Sequence, residues 1–101
     1  MVVEYDGQKL DLLETKYHNG NKAVVLNDSE GYLFCTLSVN LESMPNQDCF
    51  WLKDWSENEE IAEYMVSKKI VKLTGRTKAT GYVIAKEAIL YVKDIDNEQV
   101  D

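Results

Sequence analysis

The feature that most constrains the fold is a change of periodicity within residues 50–65, FWLKDWSENEEIAEYM. The first six positions hold three aromatic residues and a leucine, and carboxylates dominate the rest. Ser56 followed three residues later by Glu59 has the pattern of a capping box, in which each side chain binds the other residue's backbone N–H at a helix start. The segment therefore predicts a strand that ends near residue 54 or 55 and a helix over residues 56–68.

Strand-like segments precede this point and are separated by turn signals. Residues 18–21, HNGN, lie between two such segments, and an Asn-Gly pair there favours a hairpin with a type I′ turn. A second turn is predicted at residues 28–31, where Gly31 supplies a positive φ. Residues 33–41 then alternate apolar and polar side chains, which predicts one long strand with one face on the core. A fourth long strand is expected over residues 49–55.

Less regular sequence follows the predicted helix. We expect a short strand at residues 70–73, a basic polar loop at residues 74–80 (TGRTKAT), and one or two final strands within residues 82–92. Together these segments predict a single α+β domain over residues 1–93, in which one helix packs on an antiparallel β-meander sheet that one or two C-terminal strands complete. Residues 94–101 are acidic and are predicted to form a frayed tail.

Length and composition are those of a soluble domain with one core. The chain has 101 residues, of which 45% are hydrophobic and 29% charged. It holds no apolar run near the roughly 20 residues that cross a bilayer, and its first residues lack the pattern of a signal peptide. We therefore expect a cytoplasmic protein without a membrane partner. Cys35 and Cys49 are expected to be free thiols, and a disulfide between them is the less favoured alternative.

The net charge of −7 is unevenly distributed. Residues 1–63 carry 13 acidic and 4 basic side chains, whereas residues 64–93 carry 1 acidic and 7 basic ones. A strongly acidic chain is a poor general ligand for phosphate backbones. Solubility and charge pairing within the fold would explain the same asymmetry.

Sequence motifs of catalysis and metal binding are missing. The single histidine, His18, lies in the predicted hairpin turn without a nucleophile beside it, and Cys35 and Cys49 do not form a CxxC pair. Neither a phosphate-binding loop nor a calcium loop is present. These observations predict a protein that is not an enzyme and that has no metal site and no cofactor.

The junction between predicted strand and helix is the candidate contact surface. If Phe50 and Leu52 face the core, two tryptophans lie on the opposite face next to a run of carboxylates, which together resemble an interface anchor with a charged rim. The residues predicted to bind a partner are Trp51, Asp54, Trp55, Glu57, Glu60 and Glu63. The alternative is that the helix covers both rings and that the carboxylates form a solvated helix face.

Several segments of the chain carry a family resemblance. TLSVNL at residues 36–41, WLKDWSENEE at residues 51–60, GRT at residues 75–77 and GYV at residues 81–83 resemble a family of small acidic proteins of unassigned function. The similarity extends over roughly residues 10–92. Proteins of this family are encoded by phages, plasmids and conjugative elements of gut and other Gram-positive bacteria. Short acidic proteins on such elements often block host defence enzymes, some by presenting carboxylates in place of DNA phosphates.

Three functions follow from these observations. The first is a cytoplasmic protein-binding module that inhibits a host nucleic-acid-processing or defence enzyme through the acidic, aromatic surface. The second is single-stranded nucleic-acid binding by the basic stretch at residues 68–78, with Tyr64 and Tyr82 nearby as stacking residues; the acidic net charge disfavours it. The third is a structural subunit that associates with itself. The expected state is a monomer or a weak homodimer.

Overall fold

The computed structural model describes residues 1–91, and the predicted acidic tail lies outside the described residues. All strand pairs among these residues are antiparallel, and one helix packs with them, which confirms the predicted α+β class. The elements are β1 (Val2–Tyr5), β2 (Gln8–Lys16), β3 (Lys22–Asn27), β4 (Leu33–Thr36), β5 (Cys49–Leu52), a 3₁₀ turn (Ser56–Asn58), α1 (Glu59–Ser67), β6 (Val71–Thr80) and β7 (Val83–Leu90).

The strands form two sheets rather than the single sheet expected. The meander β1-β2-β3-β4 makes the first sheet, and β5-β7-β6 makes the second. Because β7 lies between β5 and β6, the final hairpin joins the second sheet by pairing β7 with β5, the strand that precedes the helix. The meander therefore ends at β4, and β5 does not continue it.

The predicted long strand over residues 33–41 is divided because the chain changes sheets at Leu37. The Leu37 N–H donates to the Val24 carbonyl at 2.9 Å, while the Leu37 carbonyl accepts from the Lys53 N–H at 2.7 Å. One residue later the pairing belongs to the second sheet, where Ser38 lies opposite Leu52. Strands that switch sheets in this way make the corners of packed β structures.

The predicted hairpin between β2 and β3 is confirmed, but its turn is of another type. Gly20 has a φ of +91°, whereas Asn19 is not among the residues with positive φ, and a type I′ turn would need both. The Gly20 N–H donates to the Tyr17 carbonyl, and the Tyr17 N–H donates to the Asn21 carbonyl, each at 2.9 Å. This is the three-residue loop in which a type I turn is followed by a left-handed glycine.

The predicted helix is present, but the capping box is wrong. Ser56 takes a φ of +57°, and neither Ser56 nor Asn58 caps a helix with its side chain. The chain makes a 3₁₀ turn first, and the Glu59 N–H binds the Ser56 backbone carbonyl instead of its hydroxyl. The buried Asn58 amide donates to the Thr36 carbonyl at 2.7 Å, so this turn is held by β4.

The predicted basic loop at residues 74–80 is wrong, because these residues belong to β6. This strand pairs with β7 up to Thr80 and Val83, and Gly81 and Tyr82 form the turn, with a φ of +67° at Gly81. Nearly every side chain of β6 is exposed. A strand without a buried face has no apolar alternation, so only its backbone pairing defines it.

The core lies where α1 and the inner faces of both sheets meet. Its fully buried side chains include Leu10, Val24, Leu26, Leu37, Phe50, Leu52, Met65 and Val71. Both cysteines are free thiols, as expected. Within residues 1–91, the one helix is too short and too polar to cross a membrane.

Candidate functional site

The structure separates the six predicted contact residues, and Trp51 leaves the surface altogether. Its side chain is only 1% exposed. The indole N–H donates to the Ser43 carbonyl at 2.9 Å, and the Arg76 guanidinium lies 5.4 Å from the ring centroid. The loop that follows residue 40 closes over the face of β5 that was expected to be covered by the helix or left open, so Trp51 is not available to a partner.

Two of the predicted acidic residues are already paired within the chain. Asp54 forms an ion pair with Lys86 at 2.9 Å, and Glu57 forms an ion pair and hydrogen bond with Lys53, four residues earlier in the chain. The hydrogen bond from Lys53 holds the pKa of Glu57 below its ordinary value. Compensation of this kind reduces the net charge that these two carboxylates present to solvent.

The remaining acidic residues of the helix point to different flanks. Glu60 lies on the side of Tyr5, whose pKa is raised by burial and then by the Glu60 carboxylate. Glu63 lies on the other flank and shares it with Glu59, which the sequence analysis left out of the site. Glu59, Glu60 and Glu63 are all exposed, and none of them forms an ion pair with a described residue. The run of carboxylates therefore does not make one continuous acidic surface.

An open groove lies between α1 and the β6–β7 hairpin, and we call it the helix–hairpin groove. Its volume is about 760 Å³. Its apolar lining is Leu52, Trp55, Ala62, Val66, Leu73, Tyr82, Val83 and Ile84. Its polar lining is Asp54, Glu59, Glu63, Ser67 and Lys86. Three predicted residues, Asp54, Trp55 and Glu63, thus meet again in this groove.

Apolar side chains of the hairpin are unusually open to solvent around the groove. Tyr82 is fully exposed at the hairpin tip, and Ile84 is 57% exposed. Leu73 is at the lower limit of exposure, at 36%. Clustered exposed apolar residues with a polar rim mark interaction surfaces in soluble proteins. Sequence reasoning missed this surface because it had placed β6 in a loop.

A second groove, of about 580 Å³, lies on the other side of Trp55. Phe34 and Thr36 of β4 form one wall, and the ion-paired Lys53 and Glu57 form the other. Its lining is more polar, and its charges are compensated. Trp55 therefore stands as a half-buried ridge between two grooves of different character.

A buried carboxylate on the opposite face of the hairpin was also missed. Glu87 is inaccessible to solvent, and its carboxylate accepts four hydrogen bonds from the surrounding chain. The Asn46 N–H donates at 2.8 Å, the Thr74 hydroxyl at 2.7 Å and the Arg76 guanidinium at 3.0 Å, and the Asn46 side-chain amide adds a fourth bond at 3.1 Å. We call these four residues the Glu87 cluster.

The Glu87 cluster is built for stability rather than for proton transfer. Burial raises the pKa of Glu87, but the hydrogen bonds from Asn46, Thr74 and Arg76 outweigh burial and leave the pKa below its ordinary value. The carboxylate thus stays ionised near neutral pH and has no face open to a substrate. The sequence did carry one signal for Glu87, which is the only acidic residue between residues 64 and 93.

Other candidate chemical groups in the described part of the chain lack the features of an active site. Burial, and then the Glu57 carboxylate, raise the pKa of Cys35 to about 11, so this thiol is protonated near neutral pH. His18 is exposed in its turn. Within residues 1–91 no three His, Cys, Asp or Glu side chains are placed to hold a metal ion.

The basic stretch at residues 68–78 does not form one positive groove. Lys68 lies 5.8 Å from the centroid of the Tyr64 ring, and Lys72 lies 5.4 Å from that of Tyr91. Arg76 is bound to the Glu87 cluster. Three of its five cations, Lys68, Lys72 and Arg76, are therefore engaged in separate intramolecular contacts.

No family model, no curated protein and no solved structure matches this chain.

Proposed function

We propose that this protein is a non-enzymatic protein-binding module whose contact surface is the helix–hairpin groove. The observation that carries the proposal is the coincidence of a large apolar groove, a fully exposed Tyr82 at its lip, and Glu59 and Glu63 along its helical wall, neither of which forms an ion pair with a described residue. Exposed tyrosines are common anchors of protein interfaces, and unpaired rim carboxylates attract a basic partner. Of the residues first predicted from the sequence, Trp55 and Glu63 remain at the centre of the proposed site, and Asp54 remains at its base.

We propose further that the partner is a host nucleic-acid-processing or defence enzyme that the protein inhibits in the cytoplasm. Such enzymes carry basic surfaces that bind phosphates, and an acidic protein with a net charge of −7 is attracted to them over distances of about 8 Å at physiological salt. The resemblance to proteins of phages and conjugative elements supports this choice of partner.

Single-stranded nucleic-acid binding by the basic stretch is the less supported alternative. It requires several free cations along one path with stacking aromatic rings. Tyr82 is free to stack, but Arg76 is engaged with Glu87 and lies over Trp51. We therefore retain nucleic-acid binding only as an outcome that the experiment must be able to report.

The experiment is affinity capture from a host lysate with matched variants. The bait proteins are the parent, Tyr82→Ala, the double variant Glu59→Lys/Glu63→Lys, and the control double variant Glu30→Lys/Glu42→Lys. The control reverses the same number of exposed charges outside the groove. A protein recovered with the parent and the control, but lost with both groove variants, supports the proposal.

Purified components then distinguish the alternatives. The Glu59→Lys/Glu63→Lys variant should associate more slowly with the recovered protein and with less salt dependence than the parent. If the groove variants and the control variant bind it alike, the groove is not the contact surface. Binding to single-stranded DNA that weakens steeply with salt would instead favour the nucleic-acid alternative.

A further inference from the structure

Among residues 1–91, no second layer covers one face of the outer half of the β6–β7 hairpin. The third strand, β5, ends at Leu52, which pairs with Lys86 of β7. Beyond that point, within the described part of the chain, β6 and β7 pair only with each other, through Lys78 and Ala85, Ala79 and Ile84, and Thr80 and Val83. We call this two-stranded portion, residues 77–85, the arm.

The open face of the arm is a continuation of the core face of the second sheet. Successive side chains alternate between faces, so Ile84 and Lys86 lie on the same side as the buried Ala88. On β6, Ala79 pairs with Ile84 on this side. Two-stranded ribbons are marginally stable without a packed layer, and α1 supplies that layer only for the inner half of the hairpin. The helix–hairpin groove is the space where a second helical layer would lie.

The backbone of the hairpin offers no hydrogen-bond partners to a molecule that lies in this groove. Peptide N–H and C=O groups of a sheet point along the sheet, toward neighbouring strands, and not out of its face. An extended segment lying in the groove would leave its own backbone groups without partners against Val66, Leu73 and Ile84, at a cost of a few kcal/mol for each buried group. An α-helix satisfies these groups internally.

The open edge of β6 also opposes strand addition. Its pairing with β7 shifts register between Leu73 and Thr77, and Gly75 lies in that bulge with a φ of +97°. The exposed Lys72 and Lys78 flank the bulge. Bulges and lysines on an edge strand discourage pairing with another chain.

We infer that the occupant of the helix–hairpin groove is an amphipathic α-helix of the partner protein, with an apolar stripe on the arm and a Lys/Arg flank toward α1. Glu59 and Glu63 are four residues apart on α1, so their carboxylates are neighbours along its groove-facing flank. Basic residues with the same spacing on an adjacent helix can pair with both. This inference rests on the proposed protein-binding function and specifies its partner.

The test uses labelled 18-residue peptides. The first has leucines at the spacing of one helical face and lysines along one flank; the second is a scramble of the same composition; the third carries two central prolines. The first should bind the parent and become more helical by circular dichroism. Its affinity should fall about tenfold or more for Ile84→Ser and for Glu63→Lys. The controls Leu33→Ser and Glu30→Lys change exposed residues outside the groove and should match the parent.

Each other result overturns the inference. Equal binding of the scrambled or proline peptide would show attraction by charge alone, and equal losses in the control variants would show that the groove is not involved. If no peptide binds while capture from lysate still depends on Tyr82 and Glu63, protein binding stands and the helical occupant is wrong. If capture fails as well, the proposed function falls with it.

Discussion

The two faces of the β6–β7 hairpin differ in burial, in the pairing of their charges and in the exposure of apolar side chains. These properties distinguish a structural surface from a contact surface. On one face, Glu87 is buried with a full set of donors, and Trp51 is enclosed beside it. On the other face, Ile84 and Tyr82 remain exposed, and the carboxylates of Glu59 and Glu63 lack ion pairs among the described residues. The first face buries a carboxylate where an apolar residue is usual, and the second face exposes apolar side chains where charged ones are usual.

If the helix–hairpin groove is the contact surface, as proposed above, the most polar cluster of this fold is not its functional site. A buried carboxylate is tolerated when each of its acceptor positions is filled, and filling them leaves nothing for a ligand. An exposed apolar groove contributes little to folding, because its side chains still contact water in the free protein. Its presence is more simply explained by a contact with another molecule.

The largest expected effect comes from placing the same charge on each face. Ile84 and Ala85 are adjacent on β7, one 57% exposed and the other fully buried. Ala85→Asp introduces a carboxylate into the closed face near Glu87 and should cost several kcal/mol. Ile84→Asp should change the free energy of unfolding by less than about 1 kcal/mol. Urea unfolding of both variants measures the difference, and similar values would mean that the two faces are equally packed.

Removal of the Glu87 carboxylate should have the next largest effect. Glu87→Ala leaves the Arg76 guanidinium, the Thr74 hydroxyl and the Asn46 N–H without their acceptor and should cost roughly 3 kcal/mol. Glu63→Ala on the open face is the matched control and should stay within about 0.5 kcal/mol of the parent. If Glu87→Ala is as stable as that control, the cluster does not hold the hairpin to the loop at Asn46.

Acid should weaken the closed face selectively. The pKa of Glu87 is lower in the folded protein than its ordinary value, so its stabilisation is complete above the unfolded pKa of about 4.3 and is lost as the pH falls through the folded pKa. Glu87→Gln has no proton to gain at this position. The difference in unfolding free energy between the parent and Glu87→Gln should therefore be constant near neutral pH and shrink below about pH 4. A difference that does not vary with pH down to acid unfolding would contradict the lowered pKa.

Local patterns in the sequence predicted much of the fold. The hairpin at Gly20 and the turn at Gly31 follow from backbone preferences that act over a few residues, whereas the helix after Ser56 is present without the capping box that predicted it. Such short-range signals do not depend on how the sheets pack.

Long-range pairing could not be predicted in this way. The change of sheets at Leu37 depends on hydrogen bonds to Val24 and Lys53, which no periodicity encodes. Likewise, Trp51 is buried by a loop that Glu87 holds from 41 residues away along the chain. The candidate site could not be predicted for the same reason. The groove forms between α1 and the β6–β7 hairpin, and the sequence did not reveal residues 74–80 as part of a strand.

The smallest expected effect concerns the two tryptophans, which report the two faces separately. Trp51 lies in the closed face, whereas Trp55 is half-buried at the groove. In Trp51→Phe the remaining fluorescence comes from Trp55 and should be quenched by acrylamide several times more strongly than that of Trp51 in Trp55→Phe. Since Trp55 keeps solvent contact, Trp55→Phe should cost less than about 1 kcal/mol.

An occupant of the groove should reduce the quenching of Trp55 and leave that of Trp51 unchanged. If both tryptophans become equally protected, or neither does, the ligand binds elsewhere and the difference between the two faces has no part in recognition.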